Sequence, residues 1–197
     1  MTTKELLLTT AAKLFQQKGY SATGLNEIVT ESGTPKGSLY HYFPQGKLQL
    51  AIEAVNFAGI GINDNVAHLL SLESDPVSAF QKVIDDIIMR FQDGSDFMGV
   101  SLSMISLEAP SEAESLRSVC ETVFNSREEL YASKLAASGY SPLEAKRLGS
   151  LMQILIEGAI VATRTRNDPS ALREVSQSVS ELLGKKTNER QNTEESR

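Results

Sequence analysis

The sequence predicts an all-α fold: a three-helix head that carries a helix-turn-helix, followed by a six-helix body. Apolar residues recur three and four apart through almost the whole chain, which is the period of a helix face. Short breaks separate these stretches, with Gly, Pro, Ser, Thr or Asp standing where helices end and start. The run from Gly24 to Lys47 sets the character of the head. It reads as two short helices joined by a tight turn, the second polar and aromatic enough to lie in a DNA groove.

The first helix is expected over residues 4–18, where Leu7, Ala11, Leu14 and Phe15 form a stripe and Gly19 stops the helix just past Lys18. In the second, Leu25, Ile28 and Val29 give an apolar face, and Gly33 ends it in the left-handed conformation. Thr34 then offers an N-cap hydroxyl and Pro35 the first helical position. The third helix runs from Lys36 to Tyr42 and stops before Pro44, with Leu39 and Phe43 expected against the first helix. An ordinary three-helix core would explain Leu39 and Phe43 equally well. It leaves Lys36, Gly37, Ser38, Tyr40, His41 and Tyr42 without a reason in one short helix.

The body begins with a long helix from Lys47 to about Leu72, whose Gly59 and Gly61 mark a bend, a close crossing or simple tolerance. Asp75 or Ser74 caps the next, with Pro76 at its first position and a stripe of Val77, Phe80, Val83, Ile84, Ile87, Ile88 and Phe91. The short, largely uncharged segment 97–110 reads as a helix; its alternating Val100, Leu102 and Met104 also suit a strand, but no second strand candidate exists to pair with it. A further helix starts near Ser111 or Glu112 and ends at Gly139. Another follows from the Ser141 cap and Pro142 to about Arg166, almost charge-free between Leu148 and Ala162. After Asn167, Asp168 and Pro169, a last helix carries Leu172, Val175, Val179 and Leu182 on one stripe. The expected division is therefore 1–46 for the head and 47–185 for the body, with a polar tail at 186–197.

The chain of 197 residues is 41% hydrophobic, enough for a sizeable core, and carries a net charge of −6. That charge is uneven. Residues 1–52 hold five Lys against three Glu, a balance of +2 that leaves −8 on the remainder, so one end is turned towards a phosphate backbone. The absence of Trp and an aromatic content of 6% argue against carbohydrate binding or an aromatic cage. Cys120 is the one cysteine, which excludes an internal disulfide framework or a paired-cysteine metal site; its apolar surroundings suit a small buried thiol. His41 and His68 give no zinc spacing, so no metal or cofactor is expected. Asp85, Asp86, Glu108 and Glu157 are not spaced to pair with one another or with a histidine, so no catalytic set is expected either. The N-terminus has no cleavable-signal pattern. The most apolar run, Leu148 to Ala162, is too short for a membrane span and contains Glu157, so the expected location is cytoplasmic.

The run GYSATGLNEIVTESGTPKGSLYHYFPQGKLQLA resembles the N-terminal signature of TetR-family transcriptional repressors, and EGAIVATRTRNDPSAL resembles the LmrA/YxaF-like branch of that family. There are two departures. Gly24 stands where relatives often carry a helix-starting Ser or Thr, which moves the expected cap to Thr23; Pro35 stands where many have a serine able to touch a phosphate. The resemblance implies a repressor of double-stranded operator DNA. Lys36, Ser38, Tyr40, His41 and Tyr42 are expected to divide into base readers and phosphate anchors, Thr23 and Lys47 to touch phosphate, and Thr34, Pro35 and Gly37 to complete the DNA-facing set.

In the body, spacing alone favours the methionines and phenylalanines as core filler over the lining of an apolar cavity. The resemblance implies the cavity, since TetR-like repressors carry an inducer pocket and this branch is similar to regulators of multidrug efflux and of responses to plant-type aromatics. The expected lining of Phe91, Phe97, Met104, Phe124, Tyr131, Met152 and Ile156 would take a small apolar or aromatic inducer, oriented by Arg127 or Glu157. Helix four, through Phe57 and Ala58, is the expected lever. A homodimer is expected through residues 148–182, with Gly149 and Gly158 letting helices of two copies approach. A helix-turn-helix regulator answering to a protein partner, with no small ligand, is the alternative.

Overall fold

The computed structural model describes residues 1–93, 105 and 114–183; among these it contains eight helices and no strand. They are α1 (Thr3–Ala22), α2 (Leu25–Ser32), α3 (Lys36–Tyr42), α4 (Lys47–Ser71), α5 (Pro76–Gln92), α6 (Glu114–Ala137), α7 (Pro142–Arg166) and α8 (Ser170–Leu183). They form two compact units, one of Met1–Asp64 with Asp96–Arg127, the other of Asn65–Ser95 with Glu128–Arg197. Both α4 and α6 run through a unit boundary. The segment expected at 97–110 lies outside the described residues except Ile105, which is helical and buried; so does the tail at 186–197.

In the first unit, α1 opens with a capping box, since Thr2 accepts from the Glu5 N–H at 3.2 Å and Glu5 accepts from the Thr2 N–H at 2.8 Å. Gly19 (φ 84°, ψ 163°) breaks the helical path where the sequence predicts an end, yet a further turn follows to Ala22. Leu7, Ala11, Leu14 and Phe15 of α1 pack with Ile28 of α2, Leu39 of α3, Phe43 just after it, and Leu50, Ala51, Ala54 and Val55 of α4. Leu116, Cys120 and Val123 of α6 extend the same core. Of the two glycines in α4, Gly59 marks a close crossing, because a Cβ there would stand 2.5 Å from Val123 Cγ1; Gly61 has open space around it.

The second unit is built by α5 and α7 packing on α8. The expected starts are found. Asp75 caps α5 by accepting from the Ser78 N–H at 2.8 Å, Ser141 caps α7, and Pro76 and Pro142 follow their caps. Phe80 and Tyr131 meet edge to face at 5.1 Å between ring centroids. Ala171, Leu172, Val179 and Leu183 are the buried residues of α8, while Val175 and Leu182 of the expected stripe are half-buried. Gly149 corrects an expectation. A Cβ there would lie 2.8 Å from the Ala132 backbone nitrogen, so this glycine serves the crossing of α6 and α7 within one chain and not an approach between copies.

Candidate nucleic-acid interface

The turn between α2 and α3 is closed from within. Gly33 takes φ 63° and ψ 19°, and its N–H donates to the Thr30 carbonyl at 3.2 Å. Ser32 Oγ donates to the Val29 carbonyl at 3.1 Å and shares a 2.8 Å hydrogen bond with Thr34 Oγ1, both residues being buried. Four expectations are overturned here. Thr34 does not cap α3, because its hydroxyl is engaged with Ser32, and Pro35 (φ −61°, ψ 137°) occupies the N-cap position rather than the first helical one. Thr23 does not cap α2 and is not available to a phosphate. It is buried, and its hydroxyl is shared between the Gly19 carbonyl at 2.8 Å and the Leu14 carbonyl at 3.2 Å; Gly24 is the N-cap, without a side-chain bond.

On α3 the side chains sort by face. Leu39 and Phe43 are fully buried, as the spacing predicts, while Pro35, Lys36, Gly37, Tyr40 and His41 are exposed, Tyr40 to 48%. Ser38 and Tyr42 are half-buried, with Tyr42 packed against the core and the His41 ring set edge-on to it at 5.1 Å. A Cβ on Gly37 would meet nothing within 4 Å, so the backbone there faces open space. Lys47 points elsewhere. Its Nζ donates to the Ser21 carbonyl at 3.2 Å and lies 4.6 Å from the Tyr20 ring centroid, and burial holds its pKa below the ordinary lysine value. Sequence reasoning missed Gln49, whose amide bonds to the backbone at the end of α3; the signal was its four-residue spacing from Gln45 and Glu53.

The residues expected around an inducer divide between the units. Phe124 and Arg127 belong to the first, where Arg127 is buried and its Nε donates to Asn63 Oδ1 at 3.0 Å. Tyr131, Met152, Ile156 and Glu157 are buried in the second, which also holds the half-buried Phe91. Phe97 and Met104 lie outside the described residues. Gln153, absent from the expected set, is wholly buried beside them and donates to Glu157 Oε1 at 3.3 Å. Among the described residues no group of three or more His, Cys, Asp or Glu is arranged to hold a metal ion, and no helix is long and apolar enough to cross a membrane.

Comparison with known proteins agrees with this geometry. The family described as "Bacterial regulatory proteins, tetR family" matches residues 7–54, and the family "Transcriptional regulator LmrA/YxaF-like, C-terminal domain" matches residues 76–178. The uncharacterized HTH-type transcriptional regulator YxaF of Bacillus subtilis (strain 168) is 41% identical over 93% of this chain and 96% of its own. The HTH-type transcriptional regulator LmrA of the same organism is 35% identical over 91% and 96%. In fold, the chain is similar to the reduced form of Escherichia coli NemR, with a TM-score of 0.78 at 21% identity over 92% of this chain and 97% of the other. A TetR transcriptional regulator from Legionella pneumophila gives a TM-score of 0.75 at 22% identity over 92% and 97%. With a helix-turn-helix whose outer face is polar and aromatic, and with matches that span both the head and the body, the chain belongs to the TetR family of DNA-binding transcriptional regulators, in its LmrA/YxaF-like branch.

Proposed function

We propose that the protein is a repressor whose α3 enters the major groove of operator DNA, and that a small apolar or aromatic inducer, bound by the 47–185 body, releases it. One observation carries the groove reading: the outward face of α3 presents Lys36, Gly37, Tyr40 and His41 together, and no hydrogen bond or ion pair within the described residues engages the side chain of Lys36 or Tyr40. In this reading Lys36 anchors to phosphate, Tyr40 and His41 reach base edges or the backbone beside them, and Ser38 and Tyr42 flank the contact. Pro35 and the open backbone at Gly37 allow close approach. Lys47 acts through its hold on the end of α1. Control of an efflux gene is the target that the branch resemblance suggests.

The inducer reading rests on buried side chains of the second unit that are apolar or aromatic with a polar group among them: Tyr131, Met152, Ile156 and Glu157. Two copies would pair through the outer faces of α7 and α8. Support comes from α7, where Leu151, Ile154, Gly158 and Val161 fall three, four and three apart, with Ile154 exposed to 58% and Val161 to 43%.

The test begins with a duplex selected by the wild-type protein from a randomised pool. Tyr40→Ala should cost about 1–3 kcal/mol on that duplex and relax its sequence preference, while Lys36→Ala should weaken all duplexes alike and lower the salt slope by about one. Melting temperatures should stay within a few degrees. Both variants binding like the parent at matched salt would overturn the groove reading. For the inducer, screened aromatics must show linkage, with operator and ligand each changing the other's affinity by one factor, about 5- to 150-fold. A tight ligand without linkage would overturn the release mechanism.

A further inference from the structure

At seven residues, α3 is too short to hold its own direction, so contacts at its ends decide how it is presented. Its C-terminal end turns through Tyr42 to Gln45 into α4, and one side chain spans that corner. Gln49 Oε1 accepts the Gln45 N–H at 3.0 Å, while Nε2 donates to the Tyr42 carbonyl at 3.3 Å, one of the acceptors a helix end leaves without an internal partner. The other Nε2 hydrogen goes to Glu53 Oε1 at 2.9 Å, one turn along α4. Glu53 Oε2 lies 2.7 Å from Lys4 Nζ of α1, and that ammonium stands 5.8 Å from the centroid of the Phe43 ring. A neutral amide carries an acceptor oxygen and two N–H donors, so it can accept from one backbone group and donate to the next. An ionised carboxylate only accepts, so Glu53 fixes which way the Gln49 amide points. With the amide reversed, its oxygen would face two other acceptors. Burial alone would raise the Glu53 carboxyl, but hydrogen bonds from Lys4 and Gln49 leave it below the ordinary glutamate value, so it stays an acceptor at neutral pH.

We infer that Gln49 is the positioning residue of the DNA-reading helix: its amide, braced by Glu53 and Lys4, fixes the angle of α3 and through it the discrimination between operator and other DNA. The inference rests on the reading that α3 enters the groove. Sequence-specific contacts fail when a helix is misplaced by an ångström, whereas phosphate attraction tolerates it.

The experiment uses the full-length protein, the wild-type-selected duplex and an unselected duplex of equal length at one salt concentration. Gln49→Leu, close in volume but without hydrogen bonds, and Gln49→Glu, which abuts a second carboxylate, should each weaken the selected duplex about tenfold and the unselected one less than about twofold. In the free protein, the Gln45 amide should exchange its hydrogen faster in Gln49→Leu, which has no acceptor for it, whereas Gln49→Glu keeps that acceptor and loses only the two donors. Combining Gln49→Glu with Glu53→Gln, which exchanges amide and carboxylate, should recover part of the loss. Equal loss on both duplexes, or in Gln49→Leu an unchanged Gln45 exchange rate or full selected-duplex affinity, overturns the inference. Tyr40→Ala, run alongside, separates the cases: if it weakens the selected duplex while Gln49→Leu does not, only the positioning role fails, and if it too is without effect, the groove reading has failed first. Should Gln49→Leu not fold, Gln49→Glu is judged by the same ratio.

Discussion

Within the head, neighbouring residues of one type differ in role according to what their polar atoms touch. Thr23 looks like a cap in sequence because it precedes a helix, but its hydroxyl donates back to the Leu14 and Gly19 carbonyls of α1. Thr23→Val keeps the shape and removes only these bonds. It should lower stability to urea by about 0.5–1.5 kcal/mol and leave operator affinity at matched salt unchanged. A specific loss of DNA binding would restore the phosphate role. Cys120 is buried in the core, which pushes its thiol from 9.0 up to about 11. Raised above its unfolded value, this group adds stability that is fully present below about pH 9 and is lost as pH rises through 11. The native thiol should therefore react with iodoacetamide at pH 8 at least about a hundredfold more slowly than in urea, and Cys120→Ala should remove this alkaline loss.

At the level of elements, boundaries were the most legible feature, because they depend on local chemistry. Pro76 and Pro142 with their Asp75 and Ser141 caps, and Gly33 in its left-handed turn, stand where the sequence places them. The burial of Leu39 and Phe43 was legible for a similar reason: a helix with one apolar stripe has one face to bury. Which face of a glycine meets another helix was not legible, since it depends on a distant partner. Gly149 and Gly158 look alike in sequence, yet a Cβ at 149 meets the α6 backbone and a Cβ at 158 meets nothing. Gly149→Ala should force α6 and α7 apart and cost about 1–3 kcal/mol. Gly61→Ala, with open space around it, should gain up to about 1 kcal/mol from helix propensity. Thermal melts of the two variants compare them directly, and equal melting temperatures would refute the backbone contact at Gly149. The Gln49 clamp was hard to read because two of its three partners are backbone groups, which leave no mark in the sequence beyond the four-residue spacing to Gln45 and Glu53.

For the whole molecule, the question is how a basic head on an acidic chain obtains operator affinity. One α3 covers few base pairs, and helix-turn-helix proteins gain affinity and length of recognition by placing two such helices in successive major grooves through a two-fold dimer. In the proposed dimer the outer stripe of α7 supplies the self-complementary surface. Leu151, Ile154 and Val161 give it apolar area, and Gly158, where a Cβ would meet nothing within 4 Å among the described residues, would let the two copies of α7 cross closely. Ile154→Asp puts two like charges on the two-fold seam while leaving the chain's own core untouched, since Ile154 is exposed. The expected result at micromolar concentration is a 21.5 kDa species in place of one twice that mass, with helix content and thermal melt little changed. Operator binding should weaken by orders of magnitude and its salt slope should fall by about half, because each protein bound then carries one set of phosphate contacts instead of two. Sedimentation and a salt titration together decide the matter. A variant that stays dimeric places the interface elsewhere, and a monomer that binds operator as tightly as the parent removes the need for two-fold reading altogether.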